Sequence, residues 1–165
     1  MGMLGLAGCL ALATVSVAVA QDATASALGD RAQIQDLITR YYYNFGRSKP
    51  ESFSDFYADS AELILGNTHY KGKAGIAKAY GGGGGPSRNA YSFNVTISNP
   101  LIHVHGDTAT SELIFTEYLI QKQGDAPRVI AQGREYATFV RINGEWRYKM
   151  RQIKGGTEPP DGWKE

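Results

Sequence analysis

The stretch from Asn99 to Ile120 constrains this chain more than any other. Ile102 and Val104 alternate with His103 and His105. Beyond His105-Gly106-Asp107, Ala109, Ser111, Leu113, Phe115 and Glu117 alternate with Thr110, Glu112, Ile114, Thr116 and Tyr118. Period two on both sides of a Gly-Asp turn predicts a long antiparallel hairpin with two distinct faces. With the Ala109 set turned inward, small side chains lie near the turn and bulky ones beyond it. A helix can then lie close at one end and a cavity open at the other. Glu117 stands among Leu113, Phe115 and Leu119, where burial raises a carboxyl pKa and lets it exchange protons with an apolar substrate. It is the candidate catalytic residue. The competing register, displaced by one residue, turns Glu117 to the rim, where Arg134 or Arg151 would pair with it.

The N-terminus belongs to a different kind of segment. Residues 1–20 contain no charged side chain and end Ala18-Val19-Ala20 before Gln21-Asp22, the form of a cleaved secretory signal peptide. Leu6-Ala7-Gly8-Cys9 offers a second route, lipidation of Cys9, and the length of the apolar run a third, retention in a bilayer. The expectation is cleavage, giving a secreted or periplasmic protein with no membrane attachment. About 145 residues remain, an ordinary size for one domain.

Cys9 is the only cysteine, so the mature chain carries no disulfide and no thiol nucleophile. With 17 basic and 16 acidic residues the net charge is +1, which gives no footprint for nucleic acid. Ten Tyr, six Phe and two Trp point to aromatic burial, either as core filling or as the lining of a pocket.

Residues 21–29 are small and polar and predict a flexible lead. From Asp30, a plausible N-cap, Ile34, Leu37, Ile38, Tyr41, Tyr42 and Phe45 follow one helical stripe as far as Gly46. A short helix is expected over 50–57, a strand over 61–65, a turn or hairpin over 67–72 and a third helix over 73–80. Gly81 to Gly85 with Pro86-Ser87 predict a mobile loop; they lack the Lys-Ser/Thr of a phosphate-binding loop. Strands follow over 91–97, 99–104, 108–122, 128–142 and 145–153, the last two joined at Asn143-Gly144. In the last strand Trp146, Tyr148 and Met150 predict an inner face and Arg147, Lys149 and Arg151 a solvated one, with Glu135 a possible partner across the hairpin. Residues 154–165 form a tail.

This order is α+β, a curved, mostly antiparallel sheet around a long helix. Asp30-Arg31-Ala32, Phe56-Tyr57-Ala58-Asp59-Ser60-Ala61, Tyr70-x-Gly72-x-x-Gly75-Ile76, Gly106-Asp107-Thr108-Ala109 and Gly144-Glu145-Trp146-Arg147, in that order and spacing, resemble the SnoaL-like branch of the nuclear transport factor 2-like (NTF2-like) superfamily. The resemblance covers residues 30–153. It implies a cone-shaped α+β barrel with two short helices beside the long one, a deep apolar pocket, and frequent homodimers through the outer sheet face. Enzymes of this superfamily, among them polyketide cyclases, scytalone dehydratase and ketosteroid isomerases, resemble one another in carrying a carboxylate near the end of the first helix and often a His on the strand before the hairpin. Here those positions fall at Gly46 and at Asn94 or Val95, so the usual acid–base pair is missing. Asn94 can hydrogen-bond a carbonyl or enol but is no base at neutral pH.

The expected ligand-binding residues are Tyr42, Phe45, Tyr57 and Leu65 from the first half of the domain. Asn94, Leu113, Phe115 and Tyr136 come from the sheet, the tyrosines offering hydroxyls to a ligand oxygen. His103 and His105 share a strand face with Asp107 nearby, but the inward positions are Ile102 and Val104, and no metal site is expected. The function expected is binding of a small apolar metabolite, without a cofactor and with isomerase, dehydratase or cyclase activity as the chemistry to test. The alternative is a non-catalytic protein acting through dimer or partner contacts of its outer sheet face.

Overall fold

The computed structural model describes residues 10–43, 45, 50–81 and 90–164. A long helix α1 (Leu10–Tyr43) is followed by a 3-10 helix (Pro50–Phe56), strands β1 (Tyr57–Leu65) and β2 (Thr68–Lys71), and helix α2 (Gly72–Gly81). Four long strands then complete the chain: β3 (Ser92–His105), β4 (Thr108–Ile120), β5 (Arg128–Ile142) and β6 (Glu145–Lys154). They form one six-stranded sheet in the order β2-β1-β6-β5-β4-β3, in which only the β1–β6 pair is parallel. This is the α+β cone.

In α1 the stripe Ile34, Leu37, Ile38, Tyr41 and Tyr42 is buried as its spacing requires. The helix does not begin at Asp30, however, and residues 21–29 are helical, not a flexible lead. That stretch contains no proline and is rich in alanine, the strongest helix former, so nothing local stops the helix. Asp30 is therefore no N-cap. Its buried carboxylate binds Arg141 Nη2 at 2.5 Å and accepts from Trp146 Nε1 at 3.4 Å, fastening α1 to the far end of β5 and β6. The expected 50–57 helix is a 3-10 helix, and the expected 61–65 strand starts earlier, at Tyr57. No described helix is long and apolar enough to cross a membrane.

Rows of cross-strand partners run over the inner face. Ala109, Phe139, Tyr148 and Tyr57 form one row; Ser111, Ala137, Arg151 and Leu63 the next; then Leu113, Glu135, Ile153 and Leu65. Phe115 beside Gly133 and Glu117 beside Ala131 follow towards the other end. The β4 set is thus inward: Ala109, Ser111, Leu113 and Phe115 are all buried.

Irregularities in the sheet decide what the simple alternation does not. The two strands expected over 91–97 and 99–104 are one strand, β3, with a register shift between Ser98 and Leu101. Asn99 takes φ 51°, a left-handed conformation that asparagine tolerates, and Pro100 is accommodated because β3 is an edge strand. In β6, Thr138 pairs with Met150 but Phe139 with Tyr148, leaving Lys149 as the extra residue of a bulge. Beyond it the phase reverses, and Arg151 is buried instead of solvated. Gly46 and the glycine run beyond Gly81 lie outside the described residues, as do residues 1–9.

Candidate functional site

The inner face carries a buried ion pair. Arg151 Nε donates to Glu135 Oε2 at 2.6 Å, with Glu135 fully buried and Arg151 nearly so. Tyr42 Oη donates to the same carboxylate oxygen, and Tyr148 Oη donates to Oε1 at 3.4 Å. Arg151 Nη2 donates to Tyr42 Oη at 2.7 Å and Nη1 to Tyr80 Oη at 3.3 Å. Tyr80 in turn shares hydrogen bonds with the hydroxyls of Tyr41 and, at 3.2 Å, Tyr57. The guanidinium lies 4.6 Å from the Tyr41 ring centroid, a cation–π contact.

Burial pushes the hydroxyls of Tyr41, Tyr42, Tyr57 and Tyr148 well above the usual phenol range, with the positive charge of Arg151 opposing the shift. For Arg151 burial is the largest influence and works against the charge, but Glu135 together with Tyr41, Tyr42 and Tyr80 outweighs it and keeps the guanidinium protonated. A buried pair of this kind persists only where its remaining donors and acceptors are satisfied. The tyrosines satisfy them, and the network is a closed, rigid floor.

Glu117 stands further along the inner face. Its cross-strand partners Val95 and Ala131 both pack against the core, which places it inward as expected. It is half-buried and has no hydrogen-bond or ion-pair partner among the described residues. Burial raises its carboxyl pKa, and the charge of Arg151 opposes that shift without cancelling it. The expected partners are engaged elsewhere, Arg134 with Glu112 and Arg151 with Glu135. Around this end stand Phe115, Leu119 and two half-buried rings, Phe45 and Phe93, with centroids 5.7 Å apart.

The other expected residues divide. Tyr42, Tyr57, Leu113 and Phe115 are buried on the inner side, and Leu65 packs against the same core. The hydroxyls of Tyr42 and Tyr57 are committed to the network. Asn94 is not a pocket residue: it lies on the exposed face of β3 and donates to Ser92 Oγ at 2.9 Å, because Phe93 and Val95 occupy the inward phase. Tyr136 is buried but on the outer face, opposite in phase to Glu135 and Ala137. The tail covers it, Trp163 meeting its ring edge-on at 5.2 Å. His103 and His105 also lie on that outer face, and among the described residues no three His, Cys, Asp or Glu side chains group as metal ligands.

Periodicity missed Arg151, Tyr41, Tyr80 and Tyr148 as one constellation. One signal was available: Glu135 shares the phase of Ala137 and Phe139, so it points inward, and a buried acid requires a cation.

The model of the SnoaL-like domain matches residues 26–152. The chain belongs to the SnoaL-like domain family. Solved structures show the same fold for this SnoaL-like protein. A nuclear transport factor 2-like protein with a cystatin-like fold from Novosphingobium aromaticivorans is 24% identical, with a TM-score of 0.70 over 81% of this chain and 86% of its own. A scytalone dehydratase-like protein from the same organism is 18% identical, with a TM-score of 0.66 over 86% and 99%. An aromatic ring hydroxylase-like protein, also from that organism, is 21% identical, with a TM-score of 0.65 over 79% and 92%. No curated protein matches the sequence.

Proposed function

We propose that this SnoaL-like protein binds a small apolar metabolite at the Glu117 end of the cone and that Glu117 exchanges a proton with it. The observation that carries this is a half-buried carboxyl, raised in pKa by burial, with no hydrogen-bond or ion-pair partner among the described residues, between Val95 and Ala131 on the sheet face that also carries Phe93 and Phe115. A structural role would leave such an acid paired or in water. An apolar ligand bearing a carbonyl or hydroxyl gives the carboxyl a function. As carboxylate, Glu117 takes a proton from carbon beside a carbonyl; as acid, it returns that proton to a different carbon or to a departing hydroxyl. Isomerisation, dehydration and cyclisation need no more than this, and no cofactor. The scytalone dehydratase-like neighbour is consistent with the middle reaction. Export, by cleavage after residue 20, is part of the same proposal and rests on the sequence of residues 1–20.

Native mass spectrometry of the purified chain tests the binding step. A retained apolar molecule, or uptake of added apolar ketones, is the expected result. A chain that stays empty under both conditions contradicts it. For catalysis, Glu117→Gln abolishes turnover of any substrate so found; unchanged turnover removes Glu117 from the mechanism.

A further inference from the structure

Phe115 on β4 and Gly133 on β5 are cross-strand partners, one inward row from Glu117 and Ala131. Gly133 is buried, and the space where a side chain would stand is taken from both sides. A Cβ there would overlap the carbonyl oxygen of Lys154 at the end of β6 and come within 2.9 Å of Phe115 Cζ. Glycine is the residue that permits such an approach inside a strand. The Phe115 ring therefore leans across β5 towards the end of β6 and lies as a bar over the inner face.

The two sides of the bar differ. On one side the next inward row is Leu113, Glu135 and Ile153, and Glu135 opens the ion-pair network. On the other side stands Glu117, between Val95 and Ala131. Helix α1 repeats the division: Tyr42 donates to Glu135, whereas Phe45, nearly one turn on, meets Phe93 at 5.7 Å, and the rings of Tyr42 and Phe45 are 6.3 Å apart. Phe115 thus separates a satisfied ionic floor from a half-buried carboxyl. One inward row is two residues, about 7 Å along a strand, the reach of a single ring or a short alkyl chain and well short of a fused polycycle.

We propose that Phe115, seated over Gly133, is the end wall of the Glu117 pocket and selects compact carbonyl compounds, of one ring or a short chain, over long-chain or fused-ring ones. The wall presupposes the apolar pocket proposed at Glu117 and adds its depth.

Binding of straight-chain methyl ketones of increasing length, measured by titration calorimetry on the native chain, Phe115→Ala and Phe115→Leu, tests it. In the native chain affinity is expected to rise about fourfold per added methylene and to level off once the alkyl end reaches the ring. Phe115→Ala should carry the rise to longer chains and Phe115→Leu to intermediate ones. The leucine form retains an apolar side chain in the core and keeps the test valid if the alanine form fails to fold. The readout is the length at which affinity levels off, because a merely structural loss at Phe115 weakens every ketone alike. The same levelling length in every folded form overturns the proposal. A native chain that takes up no ketone of any length overturns the pocket together with its wall, so the two failures are told apart.

Discussion

Arg151 Nε and Glu135 Oε2 lie 2.6 Å apart in the interior of the cone, an ion pair that exists because Lys149 bulges out of β6 and reverses the phase of the residues after it. Removing one partner leaves the other charged, buried and unsatisfied. Arg151→Met should therefore destabilise the fold by about 3–5 kcal/mol in urea denaturation. Changing both residues together, Arg151→Met with Glu135→Leu, should cost clearly less than the sum of the single changes, since no stranded charge remains.

Tyr80 connects that pair to the helices. Its hydroxyl meets Tyr41, Tyr57 and Arg151, so Tyr80→Phe leaves three polar groups short of a partner without altering packing. A loss of about 1–3 kcal/mol is expected. A neutral result would mean that water replaces the hydroxyl.

The fastening of α1 gives a pH signature. Hydrogen bonding from Arg141 lowers the Asp30 pKa against the opposing effect of burial, with Trp146 and the charge of Arg141 assisting. An acid whose folded pKa lies below its unfolded one binds fewer protons when folded. Its contribution is complete above the unfolded value of about 3.9 and is lost as pH falls through the folded value. Thermal denaturation should find Asp30→Asn less stable than the native chain at neutral pH, with the difference narrowing below about pH 4.

Gly133 illustrates close approach. A Cβ there would overlap the Lys154 carbonyl oxygen and come within 2.9 Å of Phe115 Cζ. Gly133→Ala should cost about 1–3 kcal/mol by overpacking, measured as a fall in the urea midpoint, and should displace Phe115 from the Glu117 end.

Where the backbone repeats regularly, the sequence was a sufficient guide. Ala109 to Phe115 point inward as their alternation requires, and β5 occupies the expected 128–142. The site was legible only in part, for reasons that lie in the irregularities. A bulge at Lys149 carries no strong residue signal, so Arg151 was assigned to the wrong face. Tyr136 was expected in the pocket, but it lies on the outer face beneath a tail that pattern cannot place. Asp30 has the chemistry of a helix cap, and only the long-range contact with Arg141 shows its use. Asn94 was placed by analogy of position, and local alternation with Phe93 and Val95 puts it outside.

Titration of the Glu117 side-chain carboxyl, followed by carbon NMR with Glu117→Gln as the assignment control, tests the central claim most directly. Burial without a partner predicts a pKa above the ordinary glutamate value of about 4.3, and a further change when an apolar ketone is added. A raised folded pKa also means that the charged form is disfavoured at neutral pH, so Glu117→Gln should stabilise the protein there. A carboxyl that titrates at or below the ordinary value and ignores the ketone would show Glu117 to be a solvated rim acid, and the account of the site would be wrong.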